Sequence, residues 1–145
     1  MDEEKPKFDW KKNAKWALEK VPGATVLFEW FGYWPSFHDA EIISLELNRK
    51  GISNLNVYFW NTDWSKVLPN KHFFQDKYVI VHFAIENIND LELYDFSHQN
   101  VVSCLTLAPK DNLIEIEISP CYGISGYILA EKVSVSLTPG MPEGT

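Results

Sequence analysis

The apolar and polar positions divide the chain into an N-terminal helical region and a long run of strands. Across 10–21, Trp10, Ala14, Ala17, Leu18 and Val21 fall on one helical face, with Lys11, Lys12, Lys15 and Glu19 elsewhere on the wheel. Asp9 supplies a cap for this helix and Pro22-Gly23 ends it. In the next segment, ATVLFEWFG, the β-branched residues suit a strand. Leu27, Trp30, Phe31 and Trp34 nevertheless recur at helical spacing and Gly32 suits a C-terminal cap, so a short second helix is predicted.

Period-two patterns follow. Over 41–48, Glu41, Ile43, Leu45 and Leu47 point one way and Ile42, Ser44, Glu46 and Asn48 the other, which predicts a strand with one wet face. Arg49-Lys50-Gly51 provides a turn into a second strand over 55–62, giving an antiparallel hairpin. Residues 63–77 have no clean period and contain Pro69-Asn70, so they read as a long surface connection. A central strand over 78–86 places Val79, Val81, Phe83 and Ile85 on one side. Residues 87–99 fit a short strand or an irregular edge. Strands over 101–107 and 113–119 pair across Pro109-Lys110-Asp111-Asn112, with Ile114, Ile116 and Ile118 inward. After a glycine-containing loop at 121–126, a last strand runs over 127–138. The expected fold is α+β: one or two N-terminal helices on a mostly antiparallel sheet of about six strands, strongly curved or approaching a half-barrel. Residues 1–145 form a single domain, with flexible tails expected at 1–7 and 139–145.

Composition narrows the function. The 145 residues are 46% hydrophobic and 14% aromatic, enough for one sizeable core. The net charge of -7 opposes a grip on phosphate backbones and favours encounter with a basic partner, so no nucleic-acid partner is expected. Cys104 and Cys121 match no zinc spacing and read as free buried thiols, Cys104 being an inert one inside a strand. No signal peptide or membrane-length apolar run is visible, which makes a soluble, cytoplasmic chain with no membrane partner the expectation.

The stretch GYWPSFHDAEIISLELNR, residues 32–49, joins an aromatic knot, an acid-rich turn and a strand. Its run from Phe37 to Ile42, reached through Gly32 and Trp34-Pro35-Ser36, resembles the signature of the immunity protein 50 family of bacterial polymorphic toxin systems. The later Gly123-Ile124-Ser125-Gly126, followed by a strand containing Glu131-Lys132, is similar to that family's closing segment. The resemblance spans about 27–137. It implies a single-domain antitoxin that binds and neutralises a cognate toxin made by the same cell, with no catalytic residues and no cofactor.

The residues also admit other chemistry. His38, Asp39 and Glu41 could hold a metal or run acid and base steps in a small hydrolase. The favoured role for Trp34, Pro35, Ser36, His38, Asp39 and Glu41 is structural, with Ser36 and Asp39 bonding backbone donors to fix the turn into the strand. No metal site and no nucleophile elbow is expected. The aromatic clusters around Trp30–Trp34 and Tyr58–Trp60, with Trp64, read first as packing. Exposed tryptophans could alternatively stack on a sugar. The candidate contact residues for a protein partner are Tyr58 and Trp60 as anchors, rimmed by Glu46 and Asp63, with Glu115 and Glu117 as acidic steering groups. An unpaired edge strand would support a homodimer.

Overall fold

A computed structural model describes residues 8–143. Its elements in order are α1 (Trp10–Lys20), α2 (Ala24–Phe31), β1 (Glu41–Glu46), β2 (Ile52–Val67), β3 (Phe73–Tyr94), β4 (Val101–Lys110), β5 (Leu113–Tyr122) and β6 (Ser125–Pro139). The strands form a closed antiparallel barrel in the order β1-β2-β3-β6-β5-β4. The α+β expectation therefore holds, and the curved sheet closes fully.

The helices begin and end where the sequence signals them. Asp9 caps α1 by accepting a hydrogen bond from the Lys12 amide at 3.0 Å. Gly32 ends α2 in the left-handed region (φ 81°), where only glycine is free of strain. Both helices bury apolar residues in the core of the barrel: Ala17 and Val21, then Ala24, Leu27 and Phe31. They are tied to the strand ends at that side by backbone acceptors. Asn13 Nδ2 donates to the Leu107 carbonyl, and Trp30 Nε1 donates to the Lys77 carbonyl at 3.0 Å. Gly23 lies so close to the Val135 carbonyl that a Cβ would collide with it.

Inside, Val79, Val81, Phe83 and Ile85 of β3 face Leu55, Val57 and Phe59 of β2, Val133 and Val135 of β6, and Ile116 and Ile118 of β5, as the alternation predicts. The hairpins β1–β2 and β4–β5 form as expected, the latter with Lys110 opposite Leu113.

Several expectations are corrected. In β1 a bulge between Ile42 and Ser44 makes Ile43 the extra residue, so Ile42 enters the core and Ile43 is exposed. Residues 63–77 are not a loose connection: β2 and β3 run on through them and meet in a tight turn at Leu68–His72. Bulges at 59–61 and 63–67 erase the period there, while Trp64 on Phe73 (4.9 Å between ring centroids) and Lys66 over Phe74 (4.4 Å) hold the resulting arm together. The weakly patterned 87–94 is the continuation of β3. At the C-terminal end Pro139 pairs with Val79 and the Gly140 amide donates to the Tyr78 carbonyl, so the chain there is tied to the sheet. The N-terminal tail expected at 1–7 lies outside the described residues. Cys121 is exposed rather than buried, and a bulge at Val102–Cys104 turns Cys104 to the outer face of β4, half-buried.

Closure of the barrel is local. Only Glu41 of β1 pairs with Val101 of β4. The seam is extended by backbone bonds from Asp39 N to Val102 O (2.9 Å), Val102 N to Ala40 O (2.9 Å), Ile42 N to Asn100 O (2.8 Å) and Leu105 N to Ser36 O (2.9 Å). Asn100, one of the few buried polar residues, locks the far side. Its Oδ1 accepts from the Ser97 amide (2.9 Å) and the Ile124 amide (3.0 Å), and its Nδ2 donates to the Ser97 carbonyl (2.8 Å).

Asn100→Ala would leave these groups unpaired in the interior, at a cost of about 1–3 kcal/mol. Urea unfolding should show a lower midpoint at unchanged slope, whereas an unchanged midpoint would mean that the backbone seam alone suffices. The thiols should also separate: burial and then the Glu117 charge push the Cys104 thiol up. At neutral pH a thiol reagent should modify Cys121 quickly and Cys104 slowly, and equal rates would contradict this placement.

Candidate functional site

The turn at 34–41 is the first candidate. Pro35 is buried, and Phe37 is anchored in the core against Phe59 (5.2 Å) and Phe83 (5.9 Å). Phe37 (φ 63°) and Asp39 (φ 68°) both occupy the left-handed region, and the Ala40 amide closes the turn on the Phe37 carbonyl at 3.0 Å. The expected side-chain bonds from Ser36 and Asp39 to backbone donors are replaced by main-chain ones: the Ser36 carbonyl and the Asp39 amide bind β4. The turn thus carries the chain from the side of β2 to the side of β4 and shuts the barrel. Trp34 is half-buried against the core.

His38 and Asp39 do approach one another, Nε2 to Oδ2 at 3.5 Å, and both side chains are about half exposed. Nδ1 of His38 lies 3.1 Å from the Ser103 carbonyl, an acceptor only, so that nitrogen carries a proton. Glu41 is turned instead toward Tyr58, its cross-strand partner. Among the described residues no group of three or more His, Cys, Asp or Glu side chains is close enough to share a metal ion.

Beside the turn, the edge of β2 that faces β1 has no strand partner beyond Tyr58 among the described residues. An open groove of about 340 Å³ lies there, lined by Tyr33, Ser36, His38, Trp60 and Trp64 among others. Tyr58 and Trp60 pack on each other (5.1 Å) and on Tyr78 (6.3 Å each) across the outer sheet. Burial, then Tyr78 and Glu41, raise the Tyr58 pKa. Asp63 is engaged locally: bonds from the Ser65 hydroxyl and amide hold its carboxyl below the usual range. Glu46 is absent from this wall. It sits at the other end of β1 opposite Asn54, and Glu41 takes the place beside Tyr58.

Glu115 and Glu117 occupy a different wall. Barrel order places β5 three strands from β2, so these acids cannot rim Tyr58 and Trp60. Registers align Glu117 with Tyr127 and Tyr127 with Glu92, and in the next row Glu115 with Leu129 and Leu129 with Asp90. The outer face of β3, β6 and β5 is therefore acidic. Tyr127 donates to Asp90 Oδ2 at 3.0 Å and Tyr94 to Glu92 Oε2 at 3.2 Å, and those bonds, before any other cause, raise both phenol pKa values. Lysines on this wall are paired with its acids, Lys110 with Glu115 at 3.4 Å and Lys132 with Glu86 at 3.8 Å.

Where β3 runs past the start of β2, at the end remote from the helices, a second groove of about 250 Å³ opens beside the acidic wall. It is lined by Leu45, Leu47, Leu93, Tyr94, Phe96 and Ile124, with Asp95 at its rim. Sequence reasoning missed it because its residues come from the ends of three segments, none of which carries a pattern of its own. The juxtaposition of Leu47, Phe96 and Ile124 exists only once the barrel has closed.

Among the described residues, no helix is long and apolar enough to cross a membrane. No curated protein and no solved structure matches the chain. The family model described as Immunity protein 50 matches residues 23–138, which includes α2, the turn motif and every strand of the barrel. That match covers far more than half of the 145-residue chain, which accordingly belongs to the immunity protein 50 family.

Proposed function

We propose that this protein neutralises a cognate bacterial toxin by holding it in a stoichiometric complex, without making or breaking a covalent bond. The observation that carries this reading is the family match over 23–138, whose name denotes immunity. In this reading the protein acts in the cytoplasm of the cell that makes the toxin, and its partner is another polypeptide.

The surface chemistry supports a cationic partner. Asp90 and Glu92 on β3 and Glu115 and Glu117 on β5 face outward on either side of β6, with Lys110 engaging Glu115. Aligned carboxylates of this kind raise the encounter rate with a basic surface and exclude acidic ones. Glu115 and Glu117 are therefore proposed as steering residues. Tyr58, Trp60 and Asp63 are proposed as a separate contact wall, favoured by Trp64 beside them at 62% exposure. Glu46, at the far end of β1 opposite Asn54, stands apart from this wall.

Co-expression tests the reading directly. A toxin encoded beside this gene should kill cells alone and spare them when the protein is present, and the purified pair should run as a single complex whose toxin is intact. Cleavage or modification of the toxin by catalytic amounts of the protein would contradict it, as would rescue without a complex.

A further inference from the structure

We infer that the groove at the helix-remote end of the barrel is the anchoring pocket for the toxin, receiving a bulky apolar side chain from a segment flanked by lysine or arginine. This rests on the toxin-binding reading and adds where and by what chemistry the partner is held.

The groove is apolar, open and small. Leu45, Leu93 and Ile124 form its floor as extensions of the core, while Leu47 (46% exposed), Tyr94 (57%) and Phe96 (59%) stand around it largely in water. Their exposed apolar area is available for burial against a partner, and contiguous patches of this kind mark interaction surfaces. At about 250 Å³ the space falls below the roughly 300 Å³ at which small-molecule sites begin. It suits one large side chain, the geometry of an interface hot spot.

Charge specifies what flanks that side chain. The charged residue on the lining is Asp95. Tyr94 joins the groove to the acidic wall, because its hydroxyl donates to Glu92, which lies in one row with Tyr127 and Glu117. Asp90 continues the wall and is bonded by the Tyr127 hydroxyl. Arg49 lines the adjoining hollow on the far side of Leu47, together with Asn87 and Leu91. A partner seated in the groove thus meets carboxylates along the β3–β6 side, and cations on the partner complement them. Wall and pocket divide the labour: long-range attraction sets the association rate, and burial of the apolar side chain sets the residence time.

The experiment uses the full chain and an inactivated form of the toxin encoded beside it, with binding kinetics measured at low and physiological salt. Leu47→Asp and Phe96→Ala, both at exposed positions, should each weaken binding about thirtyfold or more through faster dissociation. Glu92→Lys combined with Glu117→Lys should slow association at least about tenfold and flatten its salt dependence. Val26→Ala, on the exposed face of α2 at the other end of the barrel, should bind within about threefold of the parent. Melting temperatures identify any variant that fails to fold, and Leu47→Asn then replaces Leu47→Asp. Groove and acidic variants that bind like the parent would overturn the inference. So would loss of binding in Val26→Ala alone, or a Leu47→Asp variant that breaks a dimer of this chain while holding the toxin. A parent protein that does not capture the toxin at all would instead defeat the toxin-binding reading.

Discussion

The barrel depends on a short seam of main-chain hydrogen bonds between 36–42 and 100–105. A sheet of this length must either present free edges or join its first strand to its last, and edges invite pairing with other chains. Here the joining strands share a single residue pair, Glu41 with Val101, so most of the closure falls to the turn before β1. Phe37 and Asp39 accept left-handed backbone angles, which cost free energy for residues with a side chain. Burial of the Phe37 ring between Phe59 and Phe83 offsets that cost. The turn inside the stretch that resembles the family's signature is thereby the device that shuts the barrel.

Closure determines what the outside can do. It puts β2 and β5 on opposite walls, separating an aromatic arm from an acidic face. Because β1 and β4 meet only briefly and β3 is much longer than β1, strand ends overhang at both ends of the barrel. One overhang is the β2–β3 arm near the helices. The other leaves Leu93, Tyr94 and Phe96 standing against Leu45 and Leu47, an apolar hollow beside carboxylates. The edge available for self-association is correspondingly limited to the overhangs, since the first and last strands of the sheet are joined to each other.

Legibility in the sequence follows the range of the interactions. Both helices were readable, because caps at Asp9 and Gly32 and an apolar stripe are local signals. The core face of β3 was readable because Val79 to Ile85 alternates without interruption. Bulges defeated the same reasoning elsewhere: one extra residue at Ile43 exchanged the faces of β1, and bulges in β2 disguised the arm as a loop. The family signature was legible while its mechanism was not, since the turn is fixed by main-chain amides and carbonyls of 100–105, about sixty residues away in the chain. The contact residues suffered most. Tyr58, Trp60, Glu115 and Glu117 each face outward as expected, but only the circular order of strands reveals that they cannot serve one interface.

If the seam is what fixes both walls in place, it must be as stable as the centre of the sheet. Native-state hydrogen exchange measures this without any partner. The amides of Asp39, Ile42, Val102 and Leu105 should exchange only through global unfolding, with the same opening free energy as His82 and Ser136, which face each other in the β3–β6 pairing. Seam amides that exchange by local opening while β3 and β6 stay protected would show a sheet that is not held shut, and the fixed arrangement of its walls would fall with it.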